Sequence, residues 1–515
     1  MEETASTQKQ NKMKKWLIIG LIVALVGAGI YIFALKKSPK AQYFLAELAS
    51  MEQMTDFFDN RFKLEKSWSE YQQHNPIGMQ LDVSGNYRDH GLYYFLEVEE
   101  ILNNTELSLE AEWDHKNKLA SMTAMPNIMG AKLDAATFAI NENELMIELP
   151  FIKDVLALKD EDINEYIRMF NNGYSDGPQV DFTSIFDKAS QDDLMAKVLE
   201  NYGQFVFDYL SDDSFTAVDE RINVNGQNMK TKRITLQLDE REVQEFLKEL
   251  LYEMRSDDES LDMLANVFAY TSGENQEVIK SDIKEALADI QKELKHVSFK
   301  NGLTSTVWIH NKTVVQRELE LGIQDEYTDS IIVIDGEQTV NKEGLDFDYE
   351  LTLIDNMHDA EAGIELEGAF SRDARDADDY VTLYFDLGYD ESLAFFYEAS
   401  EQLDGKEKNF DRQIGLRADD EEAYVDWSGY YAFDEGRFLS DNTFSLDGPS
   451  MDIPDAALQI NVEAEKIRGV TLPDKNKVKN IGNMSAEELD DYLYEVIEPG
   501  LESWFMGSFL DMSEF

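Results

Sequence analysis

The chain has 515 residues, no cysteine and a net charge of −58, from 104 acidic and 46 basic residues. An acidic balance of this size excludes nucleic-acid binding, which needs clustered basic surface. The lack of cysteine excludes disulfides, thiol nucleophiles and thiolate metal sites. With 43% hydrophobic and 11% aromatic residues the chain is no disordered acidic tail, and its length suits two to three domains.

Residues 1–15 form a short polar tail, expected in the cytoplasm. Residues 16–35, WLIIGLIVALVGAGIYIFAL, carry no charge and sit between Lys14-Lys15 and Lys36-Lys37. At ~1.5 Å per residue a helix of this length spans ~30 Å, the hydrocarbon thickness of a bilayer. Phe33-Ala34-Leu35 offers no A-x-A cleavage pattern, so the segment predicts an uncleaved single-pass anchor. The flanking lysines are nearly balanced, and the large downstream part sets the direction. The expectation is a cell-membrane protein with a large extracytoplasmic domain and the membrane as partner through residues 16–35. Residues 1–40 hold seven lysines and two glutamates, so the remainder is more acidic still. That charge is incompatible with docking on anionic head groups and fits a cation-rich medium that screens self-repulsion.

Residues 36–75 read as a helical segment, with Phe44, Leu45, Leu48, Met51, Met54, Phe57 and Phe58 at three-to-four spacing until Asn75-Pro76. Residues 76–323 predict an α+β domain. Its alternating start (Met79, Leu81, Val83) leads to hairpins over Asn141-Glu142-Asn143 and around Gly226. Between and after them lie helices near 160–170, 191–210, 239–250, 257–270 and 275–295. Asp239–Glu242 has the capping-box spacing. Residues 324–470 predict an acidic antiparallel β-rich region, with strands at 345–353, 364–370, 380–387, 393–399, 423–433 and 457–463. Residues 471–515 close as a helical segment opened by Ser485–Glu488. The expected fold class is α+β: an N-terminal transmembrane helix, then a long curved antiparallel sheet with covering helices.

No G-x-S-x-G, P-loop, G-x-G-x-x-G or H-E-x-x-H motif occurs. His74, His90, His115, His296, His310 and His358 are scattered. The acids Asp373, Asp376, Asp378 and Asp379, and Asp419–Glu422, lack the calcium-loop order and read as solvated turns. No catalytic residue, metal or cofactor is expected. Phe347, Tyr349, Tyr384, Phe385, Trp427 and Tyr430 either line an apolar ligand groove or fill a sheet-on-helix core.

The lysine-flanked span, the Asn141-Glu142-Asn143 hairpin ending at Leu149-Pro150, and the strand pair running into Leu238-Asp239-Glu240 together resemble uncharacterised single-pass envelope proteins of Gram-positive bacteria. The sheet-plus-helices layout is similar to LolA- and LppX-like lipid-binding half-barrels. The resemblance implies a non-enzymatic envelope protein that binds or transfers a lipid-like ligand. The alternatives are an envelope scaffold with a protein partner, or a carboxylate-dependent hydrolase of the cell envelope.

Overall fold

The computed structural model describes residues 38–88, 96–163, 182, 186, 201–272, 276–326, 328–358, 360–373, 375–386, 392–418, 421–448 and 455–510. The expected membrane helix over 16–35, the tail before it, the start of the 191–210 helix, and Asp419-Asp420 lie outside these residues. No helix among the described residues is long and apolar enough to cross a membrane. The described chain is mostly β, with twenty-one strands. This corrects the α+β class with a transmembrane helix. Strands also occupy 329–340, 407–418 and 437–447, where the alternation had shown none.

The chain divides into two units. Unit 1 comprises Met1–Asn60, Ala189–Ser371 and Val381–Ala394. Its strands β8 (Phe215–Val224), β9 (Gln227–Leu238), β10 (Leu303–His310), β11 (Thr313–Gln324), β12 (Asp329–Val340), β13 (Gly344–Asp355) and β14 (Ala360–Asp373) pair antiparallel in succession. Asn225-Gly226, at φ 46° and 74°, makes the left-handed two-residue turn that such hairpins favour. One face of this array is apolar. Leu303, Leu319, Leu321 and Ile332 share a core with Val243, Phe246, Leu247 and Leu250 of helix α4 (Glu240–Ser256). The α4 helix starts where Asp239 and Glu242 cap each other's backbone N–H, both at 2.8 Å.

Helix α1 (Pro39–Arg61) crosses the strands of unit 1 rather than running along them. Tyr43 bonds Ser305 at 2.8 Å on β10, and Glu47 pairs with Arg317 at 2.8 Å on β11. The Val314 N–H donates to Ser50 Oγ at 2.8 Å, and Gln53 donates to the Val340 carbonyl at 2.9 Å on β12. Phe58 then meets Phe370 of β14 edge-on at 5.1 Å. Residues three to five apart on the helix thus meet β10, β11, β12 and β14 in turn.

Unit 2 comprises Arg61–Lys188, Arg372–Tyr380 and Phe395–Phe515. Strand β1 (Ile77–Arg88) lies between β2 (Thr105–Asp114) and β20 (Asp455–Lys466). Pairing continues from β2 through β3 (Leu119–Ile128), β5 (Ala136–Asn141) and β6 (Glu144–Glu148) to β7 (Val155–Lys159). From β20 it continues through β19 (Arg437–Asp447) and β18 (Glu421–Asp434) to β17 (Glu407–Ala418). Helix α2 (Lys63–His74) covers one margin of this array, where Trp68 stacks on Phe438 at 4.7 Å with ring planes 9° apart.

Candidate functional site

Three clusters in the two units combine unusual chemistry with defined geometry. The first is ionic and lies in unit 2. The Arg61 guanidinium donates to Glu401 Oε2 at 2.5 Å and to Asp379 Oδ2 at 2.6 Å. Arg412 donates to Glu401 Oε1 at 2.5 Å, and Lys408 pairs with Glu401 and Glu65. Three cations therefore face three carboxylates, and Glu401 touches all three cations. Burial pushes the Glu401 carboxyl up, but Lys408, Arg61 and the Arg412 hydrogen bond outweigh it and hold it below the ordinary range. Asp379 was expected in a solvated turn. It is instead 4% exposed, because Arg61 draws it under the helix.

The second cluster lies in unit 1. Glu47 is 3% exposed, and burial drives its carboxyl above the usual range because Arg317 offsets the desolvation only in part. Both clusters are largely buried, with Glu47 Oε1, Asp379 Oδ1 and the Nε atoms of Arg61, Arg317 and Arg412 left without a protein partner. Buried ion pairs of this kind fix how a helix sits on a sheet.

The six aromatic candidates do not converge. Phe347 stacks on Phe370 at 6.4 Å in unit 1. Tyr349 donates from Oη to Gln338 Oε1 at 2.7 Å, with Arg317 over its ring at 5.7 Å. Tyr384 and Phe385 are consecutive on strand β15 (Asp376–Asp386) and so point to opposite faces. In unit 2, Trp427 lies against Phe444 at 5.4 Å, under the Arg412 guanidinium at 4.5 Å. Tyr430, three residues on, is on the other face of β18, in register with Asn409 and Asp441. Sequence proximity suggested a groove, and the two-residue period of a strand separates its members. Beneath α1, the void bordered by Tyr43, Phe44 and Leu319 holds about 30 Å³, room for one water and not for an acyl chain.

The third cluster is open. A cleft of about 560 Å³ lies on the polar face of unit 2. Its floor is a lateral row set by strand register: Gln459 of β20, Ser84 of β1, Glu106 of β2 and Asn127 of β3 are consecutive partners. Asn103 and Asn104 rise on one side, at the end of helix α3 (Leu96–Asn103). Asn103 is fixed there by accepting from the Tyr87 N–H at 2.6 Å and donating to the Tyr87 carbonyl at 3.0 Å. The Met129-Gly130 turn stands beside them, both residues left-handed at φ 53° and 87°. The Met129 N–H donates to the Asn104 carbonyl at 2.8 Å, which extends the β2–β3 pairing and joins the turn to the end of α3. Asn127 donates to Glu106 at 3.2 Å, while its buried carbonyl oxygen has no partner in the protein. Glu106 is the only charged group among the described residues of the lining. No residue pattern marks this site, because its members come from four stretches joined only by strand register.

No family model matches the chain, and no curated protein matches it. Solved structures that match include the outer membrane protein OpdK from Pseudomonas aeruginosa and a BenF-like porin from Pseudomonas fluorescens. Each is 5% identical with a TM-score of 0.24, covering 76% of this chain and 98% of its own. OccAB4 of Acinetobacter baumannii is 6% identical with a TM-score of 0.22, covering 77% and 99%. Likenesses at these scores carry no function over to this chain.

Several expectations are corrected by these findings. The described residues form a mostly β chain of twenty-one strands, in place of a transmembrane helix and a half-barrel with covering helices, so the resemblance to Gram-positive single-pass proteins and to LolA- or LppX-like half-barrels is withdrawn. The lipid-carrier function goes with it, as do its scaffold and hydrolase alternatives. The single-pass cell-membrane location and the membrane partnership through 16–35 are also withdrawn. No described helix can serve as an anchor, and that segment lies outside the described residues.

Proposed function

We propose that this is a non-enzymatic binding protein whose unit 2 cleft takes an uncharged, hydroxyl-rich ligand of the oligosaccharide class. The observation that carries this reading is the register row Gln459–Ser84–Glu106–Asn127, a line of amide, hydroxyl and carboxylate groups along the floor of an open cleft. Amides donate and accept from one side chain, which suits neighbouring hydroxyls that do the same. The cleft volume of about 560 Å³ falls within the ~300–1,000 Å³ usual for small-molecule sites.

Charge supports the neutral class. Among the described residues the lining has one carboxylate and no cation, on a chain of net charge −58, so anionic ligands are repelled. Glycosidic hydrolysis uses a pair of carboxyl groups, and among the described residues the lining offers Glu106 alone.

The test is calorimetry and saturation-transfer NMR of the full chain against a panel of neutral oligosaccharides. Binding by at least one of them is expected, weakened tenfold or more by Asn127→Ala with Gln459→Ala. No binding at millimolar sugar, or equal binding by the variant, would overturn the reading.

A further inference from the structure

In unit 1 the tip of the β8–β9 hairpin is fastened to β12, a strand more than a hundred residues on. The Asn225 N–H donates to Glu337 Oε1 at 3.0 Å, and Asn225 Nδ2 donates to Thr339 Oγ1 at 3.2 Å. Behind the tip, Val224 is fully buried against Trp308 of β10 and Val315 of β11, with Ile222 and Met229 alongside. One asparagine therefore latches a hairpin that is seated on a small apolar core. The surface it is latched to is acidic. Register sets Asp348 opposite Glu337 and Asp346 opposite Thr339, and Thr339 Oγ1 donates to Asp346 at 3.4 Å.

The residue after the latch is Gly226, and both residues are exposed. A Cβ built on Gly226 would meet nothing within 4 Å. A glycine nitrogen carries no side chain beside it to block approach to the preceding amide carbon. We propose that Asn225-Gly226 is a self-modification site, and that its deamidation unlatches the hairpin tip from β12. The Gly226 nitrogen gives its proton to solvent and bonds Asn225 Cγ. The Cγ–Nδ2 bond breaks, and the departing nitrogen takes up a proton and leaves as ammonia. Water then opens the resulting succinimide at one carbonyl or the other, which yields aspartate or isoaspartate. Either product loses the donor to Thr339 and gains a carboxylate beside Glu337 and Asp346, where facing like charges destabilise. Isoaspartate also lengthens the turn backbone between Val224 and Gln227, which register as partners.

A second Asn-Gly pair supplies the contrast. Asn301 is exposed and left-handed at φ 68°, but Gly302 is buried and its N–H donates to the Phe299 carbonyl at 2.7 Å. A Cβ on Gly302 would fall 1.9 Å from the Leu238 carbonyl oxygen. That nitrogen is held in place and does not swing onto the side chain before it.

The experiment ages the full chain at mildly alkaline pH and follows both sites by peptide mapping and mass spectrometry. Conversion at Asn225 should run at least tenfold faster than at Asn301. Equal or slower conversion at Asn225 would overturn the site. Hydrogen exchange then reads the latch. Asn225→Asp should speed exchange over residues 222–229 at least fivefold, and adding Glu337→Gln should restore most of the protection. Exchange unchanged by Asn225→Asp, or a loss that Glu337→Gln does not repair, would overturn the unlatching.

Discussion

Arg61 and Glu401 meet at 2.5 Å, with both side chains 1% exposed or less. Glu401 also serves Lys408 and Arg412, so Glu401→Leu would leave three cations short of a partner in a dry place. Removing one partner of a buried ion pair costs about 3–5 kcal/mol. Urea unfolding of Glu401→Leu should show a loss of that order. Glu463→Ala, which breaks an exposed pair with Arg437, should leave the midpoint almost unmoved. Equal effects would show that burial of the network is unimportant.

Acid should act on the two buried glutamates with opposite signs. Glu401 sits below its ordinary range, so its contribution is present near neutrality and is lost as pH falls through that lowered value. Glu47 sits above its ordinary range, so its folded form takes up a proton before the unfolded one does. Its contribution is complete below the unfolded value of ~4.3 and is lost as pH rises through the folded value. The melting-temperature difference between wild type and Glu47→Gln should therefore move in favour of wild type as pH falls from 7 to 5. A difference flat with pH would refute the assignment.

Gly336 exists to admit a ring. A Cβ at this position would lie 2.1 Å from Cδ1 of Tyr349, the facing residue on β13. Gly336→Ala must push the ring aside and strain its bond to Gln338, at a cost of about 1–3 kcal/mol. Tyr349→Ala in the same chain should recover part of that loss, since the clash then has no partner. A double variant as unstable as the sum of the singles would contradict this packing.

The charge of −58 should make stability depend on salt. Counter-ions screen repulsion over a Debye length of ~10 Å at 0.1 M. The melting temperature should climb as sodium chloride is raised from low concentration to 0.5 M, and a flat response would remove self-repulsion as a significant term.

Much of the secondary structure could be read from the residues. Leu345 to Leu353 alternates cleanly and lies within β13, and the capping pairs at Asp239 and Ser485 mark true helix starts. Three of the strands that escaped share one property: polar side chains on the face that meets the helix. β17 turns Lys408 and Arg412 inward to Glu401, β19 places Ser440 and Asn442 there, and β12 places Gln338. Alternation fails as a signal wherever the inside is charged. The cleft was illegible for a different reason. Asn127, Glu106, Ser84 and Gln459 are ordinary surface residues until strand pairing aligns them.

The helix that crosses the sheet imposes an order on synthesis. Arg61 leaves the ribosome 340 residues ahead of Glu401. At ~5–20 residues per second that interval is roughly 17–70 s. Throughout it, α2 holds Trp68 with no Phe438 to stack on, and Arg61 holds a charge with no carboxylate to meet. Unit 2 must therefore finish folding after translation is nearly over, and its earliest segment is the one longest exposed to misassociation or to a chaperone.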